Sequence, residues 1–329
     1  MTACNRTMLK RILFTLVVFF GFSLTAQAGE RVVIGISPSL TATLNIIANQ
    51  QGYFSQQGVD AEIRVIESGP KAVAMMLNDE IDISESAIFP LVSNSFHRRD
   101  FKIYTQTSIS GNDNMIVARK DKGIRKITDL EGKRVGVLKG GFPHYVLDLM
   151  LLNAGVDSKK IHLVLTNNDR LYQMLSSGEL DAVCMYGGLI DKAMKNLKDN
   201  VVLFHDEKLI RLTVVEAAKT RTFERSPELF SRILKAYIKA EEYVKKNPDA
   251  ALKTVVEYLK LDMSNAQKVW KPKMVHVALE QSLIKDMENL AQWQIDLGMQ
   301  KNAKIPNYLD FIHFKNLAEV DPKRVTITH

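Results

Sequence analysis

Cysteine is nearly missing from this sequence: 329 residues carry two, Cys4 and Cys184. If the chain is trimmed after residue 28, Cys184 stands alone, which excludes an intramolecular disulfide even in a compartment that would permit one. Catalytic patterns are scarce as well. There is no Gly-x-Ser-x-Gly and no His-Glu-x-x-His, and no two of His97, His144, His162, His205, His276, His313 and His329 fall at metal-ligand spacing. We therefore expect no catalytic residue, no metal and no cofactor. Charge of one sign is also lacking, since 44 basic residues are interspersed with 37 acidic ones. A solvated surface follows rather than a nucleic-acid-binding face.

Long apolar runs are limited to one. Lys10 and Arg11 precede the stretch Ile12 to Leu24, and Thr25-Ala26-Gln27-Ala28 follows with small residues where a signal peptidase reads. The stretch is shorter than the roughly 20 residues that a membrane-spanning helix needs. The sequence thus predicts a cleaved signal over 1–28, a mature chain from Gly29 and a periplasmic location. Cleavage would remove Arg6, Lys10 and Arg11 and no acid, lowering the formal charge from +7 to +4. With 46% apolar residues and no disulfide, stability has to come from core burial.

What is present is a repeat. Gly35 lies in an apolar strand and Gly136 in a similar one; Gly58-Val59-Asp60 recurs as Gly155-Val156-Asp157; Glu80-Ile81-Asp82 recurs as Glu179-Leu180-Asp181. The three landmarks keep one order and nearly one offset of about a hundred residues, as duplication of a structural unit leaves behind. The expected fold class is α/β, with two similar doubly wound lobes whose sheets are mostly parallel. Strands are predicted over 32–36, 59–65, 81–83, 134–138, 161–166 and 180–185, with helices between them. Extended segments at 102–107, 115–118 and 209–217 predict a two-strand hinge. Lobe 1 then comprises 29–108 plus 216–329, its helical C-terminal tail packed on it, and lobe 2 comprises 109–215. Trp270 and Trp293 are expected to pack within that tail.

In such folds ligands bind outside the carboxyl ends of the parallel strands, where helix N-termini point unpaired N–H groups into the crevice. Those loops are 37–40, 67–69 and 84–86 in the first copy and 139–144, 167–169 and 184–186 in the second. Gly140-Gly141 lets backbone approach a ligand closely, and Phe142 and Tyr186 offer rings. Glu85 is read either as an acceptor for an ammonium group or as a solvated or capping carboxylate. None of the six loops holds an arginine, so an anion would be held by amides and hydroxyls rather than by a bidentate clamp.

At these residues the sequence resembles the periplasmic solute-binding proteins of ABC importers, in the type II group that serves nitrate, sulfonates, taurine and thiamine precursors. The carriers are Gly52-Tyr53-Phe54 with Gly58-Val59-Asp60, the run from Asp129 to Val137, and the run from Ser177 to Ala182. The resemblance implies two lobes closing on one small molecule and presenting it to a membrane permease, as a monomer. It places first-lobe contacts at Ser37, Gly69 and Ser86, beside which Ser39 lies in the same loop. Second-lobe contacts fall at Gly140, Gly141, His144 and Tyr186, with Phe142 between them. The segment from Val183 to Gly188 departs from the family pattern, so the substrate does not transfer by analogy. Two further readings stay open: a periplasmic sensor or adaptor docking on a receptor, and a thiamine-pyrimidine-synthase-like enzyme.

Overall fold

A computed structural model describes residues 29–110 and 114–328; the predicted signal over 1–28 lies outside these residues. The strands are, in chain order, β1 (Glu30–Ile36), β2 (Val59–Val65), β3 (Ile83–Ala87), β4 (Phe101–Ser110), β5 (Asn114–Arg119), β6 (Arg134–Val137), β7 (His162–Leu165), β8 (Ala182–Tyr186), β9 (Val201–Phe204), β10 (Leu212–Lys219) and β11 (Val275–Ala278). They form one sheet in the order β11-β4-β10-β3-β1-β2 and a second in the order β7-β6-β8-β5-β9. Each repeat copy supplies the parallel part of one sheet. β1 pairs in parallel with β2 and β3, and β6 in the same way with β7 and β8.

The sheets are mixed rather than mostly parallel. β10 runs antiparallel to β3 and β4, and β5 antiparallel to β8 and β9. These are the crossing segments: a chain that leaves one lobe and returns brings its strands in with opposite sense. The expected lobe limits at 108 and 216 fall inside β4 and β10, which pair with each other out to Ser110 and Leu212.

The repeat landmarks interlock. A Cβ on Gly35 would stand 2.5 Å from Ile81 Cδ1, and one on Gly136 would stand 2.5 Å from Leu180 Cδ1. The middle residue of each Glu-x-Asp tripeptide therefore fills the space the strand glycine leaves free. The aspartate beside it clips the strand entrance. Asp82 accepts the Val33 amide at 2.9 Å and Asp181 accepts the Arg134 amide at 2.8 Å. Gly58 and Gly155 adopt left-handed φ of 67° and 70°, which glycine takes without a Cβ penalty.

Strand alternation divides the second lobe's core between the two faces of its sheet. Ile116, Ala118, Ala182 and Cys184 face the helix Phe142–Asn153, while Val117, Val183 and Met185 face the helices Asn168–Ser177 and Gly188–Leu197. The first lobe has one continuous core, into which the helices Pro227–Lys246, Pro248–Leu259 and Gln281–Asp296 bury Leu229, Ile233, Val255, Leu283 and Met287. The tail thus packs on lobe 1 as expected.

Three strands differ from the sequence reading for physical reasons. Ile81 and Asp82 are spent as plug and clip, so the strand starts at Ile83 and runs through the polar residues Ser84, Glu85 and Ser86, all buried. β9 and β11 are four residues each, too short to show a period.

Candidate functional site

Four helices start at the carboxyl ends of parallel strands without a side-chain cap: Gly69–Leu77 after β2, Ile88–Ser95 after β3, Phe142–Asn153 after β6 and Gly188–Leu197 after β8. Their first N–H groups carry no side-chain acceptor, although the His144 and Ile190 amides already donate to the Gly141 and Gly187 carbonyls at 3.0 Å. By contrast, the helix Asn168–Ser177 is closed by Asn167, whose Oδ1 accepts the Arg170 amide at 3.0 Å.

In the first lobe the predicted residues converge. A Cβ on Gly69 would lie 3.1 Å from Ser86 Cβ, so glycine lets the helix start sit directly on Ser86. Ser37 donates its amide to Glu85 Oε2 at 3.4 Å, and Ser39 Oγ accepts the Thr41 amide at 3.3 Å. Ser39 therefore holds the turn, while Ser86 turns its hydroxyl to the Ala87 carbonyl at 2.6 Å.

Glu85 is not solvated. It lies fully buried behind the Ser37–Thr41 turn, accepting the Thr41 hydroxyl at 3.1 Å. Its register partner across the antiparallel pair is Glu216, also fully buried. Glu216 accepts from Asn45 Nδ2 at 2.7 Å, from the Tyr237 hydroxyl at 2.7 Å and from the Tyr104 hydroxyl. Burial pushes Glu85 up to about 8, with the neighbouring Glu216 charge adding to it. Burial likewise pushes Glu216 up to about 7, opposed by its hydroxyl and amide donors.

In the second lobe Gly140, Gly141, Phe142 and His144 form one turn. Gly140 has a φ of 64°, and its amide donates to His144 Nδ1 at 3.2 Å, so this amide is not bare. With Nδ1 accepting, the ring proton sits on Nε2, which is buried without a hydrogen-bond partner. Burial lowers the His144 pKa, against the pull of Asp148, and keeps the ring neutral. Phe142 packs against both cores. Tyr186, on the neighbouring strand β8, is 44% exposed and accepts Asn168 Nδ2 at 3.1 Å. Cys184 is buried and its thiol pKa is pushed up by that burial.

Among the described residues no hydrogen bond joins the first group to the second. The lobes touch elsewhere, through the ion pairs of Lys271 with Glu207 and of Arg211 with Glu280 and Asp286, and beside His144 through Trp293 in the helix Gln281–Asp296. Its ring meets Phe89 of the first lobe at 6.1 Å, and His144 and Tyr145 of the second at 5.4 and 5.5 Å. Its Nε1 donates to Asp148 Oδ2 at 2.8 Å. Sequence reasoning placed Trp293 inside the tail and passed over Asp148 and Tyr145. The spacing of His144 and Asp148, one helical turn apart, was the available signal.

Comparison with known proteins agrees with this architecture. Over 233 residues the chain is 23% identical to a protein of Brucella abortus (strain 2308) named as a binding protein, covering 68% of this chain and 70% of that one. The fold matches that of the periplasmic aliphatic sulphonate binding protein SsuA from Escherichia coli with a TM-score of 0.74 at 14% identity, over 86% of this chain and 97% of that one. It also matches the desulfurization enzyme DSZB with a TM-score of 0.67 at 12% identity, over 89% and 99% of the two chains. The type II periplasmic binding fold is thus shown, and one fold carries both binding proteins and an enzyme. A sequence profile described as NMT1/THI5 like matches residues 41–251, more than half of the chain, which therefore belongs to the NMT1/THI5-like family.

Proposed function

We propose that this protein is the extracytoplasmic solute-binding component of an ABC-type importer. It captures a small organic anion or heteroaromatic molecule, of the sulfonate, taurine or thiamine-pyrimidine kind, between its lobes and delivers it to a membrane permease. The lobes follow the two sheets, with one made of the segments up to Ser110 and from Leu212, and the other of the chain between. It works in the periplasm, in keeping with the export signal read from the N-terminus, and as a monomer, in keeping with the family resemblance. The observation that carries the proposal is the set of uncapped helix starts at strand ends in both lobes, lined by Ser37, Gly69 and Ser86 on one side and by Gly141, His144 and Tyr186 on the other. Amides and hydroxyls without an arginine suit a weakly basic anion or a polar ring better than a phosphate ester.

Thermal unfolding of the chain from Gly29 against taurine, alkanesulfonates, nitrate, aminopyrimidines and amino acids tests the reading. A molecule present at a hundred times its dissociation constant stabilises the protein by about 2.7 kcal/mol, a shift of several degrees. A flat panel on a cooperatively folded protein would count against this ligand class and favour the sensor or adaptor reading. Because DSZB shares the fold, product analysis accompanies each hit; turnover of the bound molecule would replace binding by catalysis.

Gly141 tests the loop directly. It is the residue before the helix Phe142–Asn153 at φ −91° and ψ 172°, extended backbone open to any residue, and a position where aspartate caps helices well. Gly141→Asp should therefore fold normally, with a melting temperature within a few degrees of the parent. Its carboxylate would put a negative charge at this helix start and lower the affinity for an anionic hit at least about tenfold, which corresponds to 1.4 kcal/mol. Calorimetry showing unchanged affinity would remove this loop from the site.

A further inference from the structure

The contact between Trp293 and Asp148 joins two lobes that have to separate for a ligand to enter, and it shares its carboxylate with a site residue. Asp148 Oδ2 takes the Trp293 N–H at 2.8 Å, while His144 Nε2, one turn earlier on the same helix, stands 3.9 Å from the same oxygen. That nitrogen carries a proton, because Nδ1 is engaged by the Gly140 amide. In a residue only 1% exposed, a donor without an acceptor costs the desolvation of an N–H group, and such groups in folded proteins are seldom left unmet. The carboxylate of Asp148, one turn along, is bonded instead to Trp293 of the other lobe.

We propose that Trp293 and Asp148 form a latch between the lobes: closure moves Asp148 from His144 to Trp293 and leaves the His144 Nε2–H as the donor for an acceptor atom of the captured molecule. In the open protein Trp293 withdraws with the first lobe, and a side-chain shift of about 1 Å, from 3.9 Å to hydrogen-bond distance, satisfies His144 through Asp148. Closing without a ligand then costs the His144 hydrogen bond, and closing with one restores it. A ligand carrying an oxygen or ring-nitrogen acceptor is thereby favoured in the closed form, since only differential interaction with the two forms shifts their balance. Trp293 and Asp148 are positioning residues here. The role assigned to His144 rests on the solute-binding reading above; the exchange of Asp148 between partners does not.

The experiment is accordingly run without ligand on the full mature chain. Nitroxide labels at Lys192→Cys, on the second lobe, and Lys235→Cys, on the first, report the interlobe distance; Cys184 is buried and stays unlabelled. Trp293→Phe, which keeps the ring contacts and removes the N–H, and Asp148→Ala should each broaden and lengthen the distance distribution, by roughly several ångströms as in hinge opening. The double variant should do no more than either single one. Ring nitrogen NMR should show the Nε2–H tautomer of His144 in the parent, with that proton moving downfield in Trp293→Phe as Asp148 accepts it. Unchanged distances in both single variants, additive effects, or an Nδ1–H tautomer would overturn the latch. A panel in which no molecule binds would strike the transport reading and leave these two readouts to stand or fall by themselves.

Discussion

Gly136→Ala should lower the stability of the second lobe by about 1–3 kcal/mol, the usual cost of overpacking a close-packed core. A Cβ there would meet Leu180 Cδ1 at 2.5 Å, Leu171 Cδ2 at 2.6 Å and Val183 Cγ1 at 3.0 Å. All three side chains are fully buried, so none of them can swing into solvent. Leu180→Ala alone should cost about 2–5 kcal/mol through the cavity it leaves. The double variant, in which the new methyl enters the space vacated by Leu180, should be less destabilised than the sum of the two singles, since residues in contact couple. Denaturant titrations of the four proteins decide the point, and strict additivity would show that Gly136 and Leu180 do not share one space.

The second large effect falls on Glu216. Replacing it by alanine strips the acceptor from Asn45, Tyr104 and Tyr237 at once, in a part of the core with no exposed surface. Tyr237 retains Asn45 Oδ1 at 2.6 Å, which leaves two donors unmet. At about 1–3 kcal/mol for each buried unsatisfied group, with the cavity in addition, a loss of about 3–6 kcal/mol is expected. Glu216→Gln keeps one acceptor oxygen and should lose about half as much.

The same pair makes stability depend on pH. Folding raises Glu216 from 4.5 to about 7 and Glu85 from 4.5 to about 8. Between those limits the folded protein holds more protons than the unfolded chain, so stability falls as pH rises. The contribution is fully present below about 4.5 and is lost as pH climbs through 7 to 8. Melting temperature should accordingly drop by a few degrees from pH 5.5 to pH 8.5, and Glu85→Gln, which cannot ionise, should flatten that slope. A slope of equal size in Glu85→Gln would place the titration elsewhere.

Why some of this was legible in the sequence is visible in the residues. The tripeptides Glu80-Ile81-Asp82 and Glu179-Leu180-Asp181 recur because each supplies a plug for a strand glycine and a clip for a strand entrance, and both tasks constrain residue type locally. The strand from Val59 to Val65 and the helix start at Gly69-Pro70 also followed from nearest-neighbour pattern. Ser84, Glu85 and Ser86 read as a loop because they are polar. They form a buried strand because the β10 backbone pairs with them and the Ser37 amide and Thr41 hydroxyl donate to Glu85 from more than forty residues away.

The sequence by itself determined the duplication, the α/β class and the loops after β1, β2, β6 and β7, since these rest on period, glycine and short-range capping; 84–86 and 184–186, read as loops, lie within β3 and β8. Tertiary structure alone decided that the crossing strands run antiparallel, that Glu85 lies beside Glu216, and that Trp293 meets Asp148 across a separation of 145 residues. Such pairings are set by how two lobes fold back on each other, and no local propensity carries information about a partner that only chain return brings near.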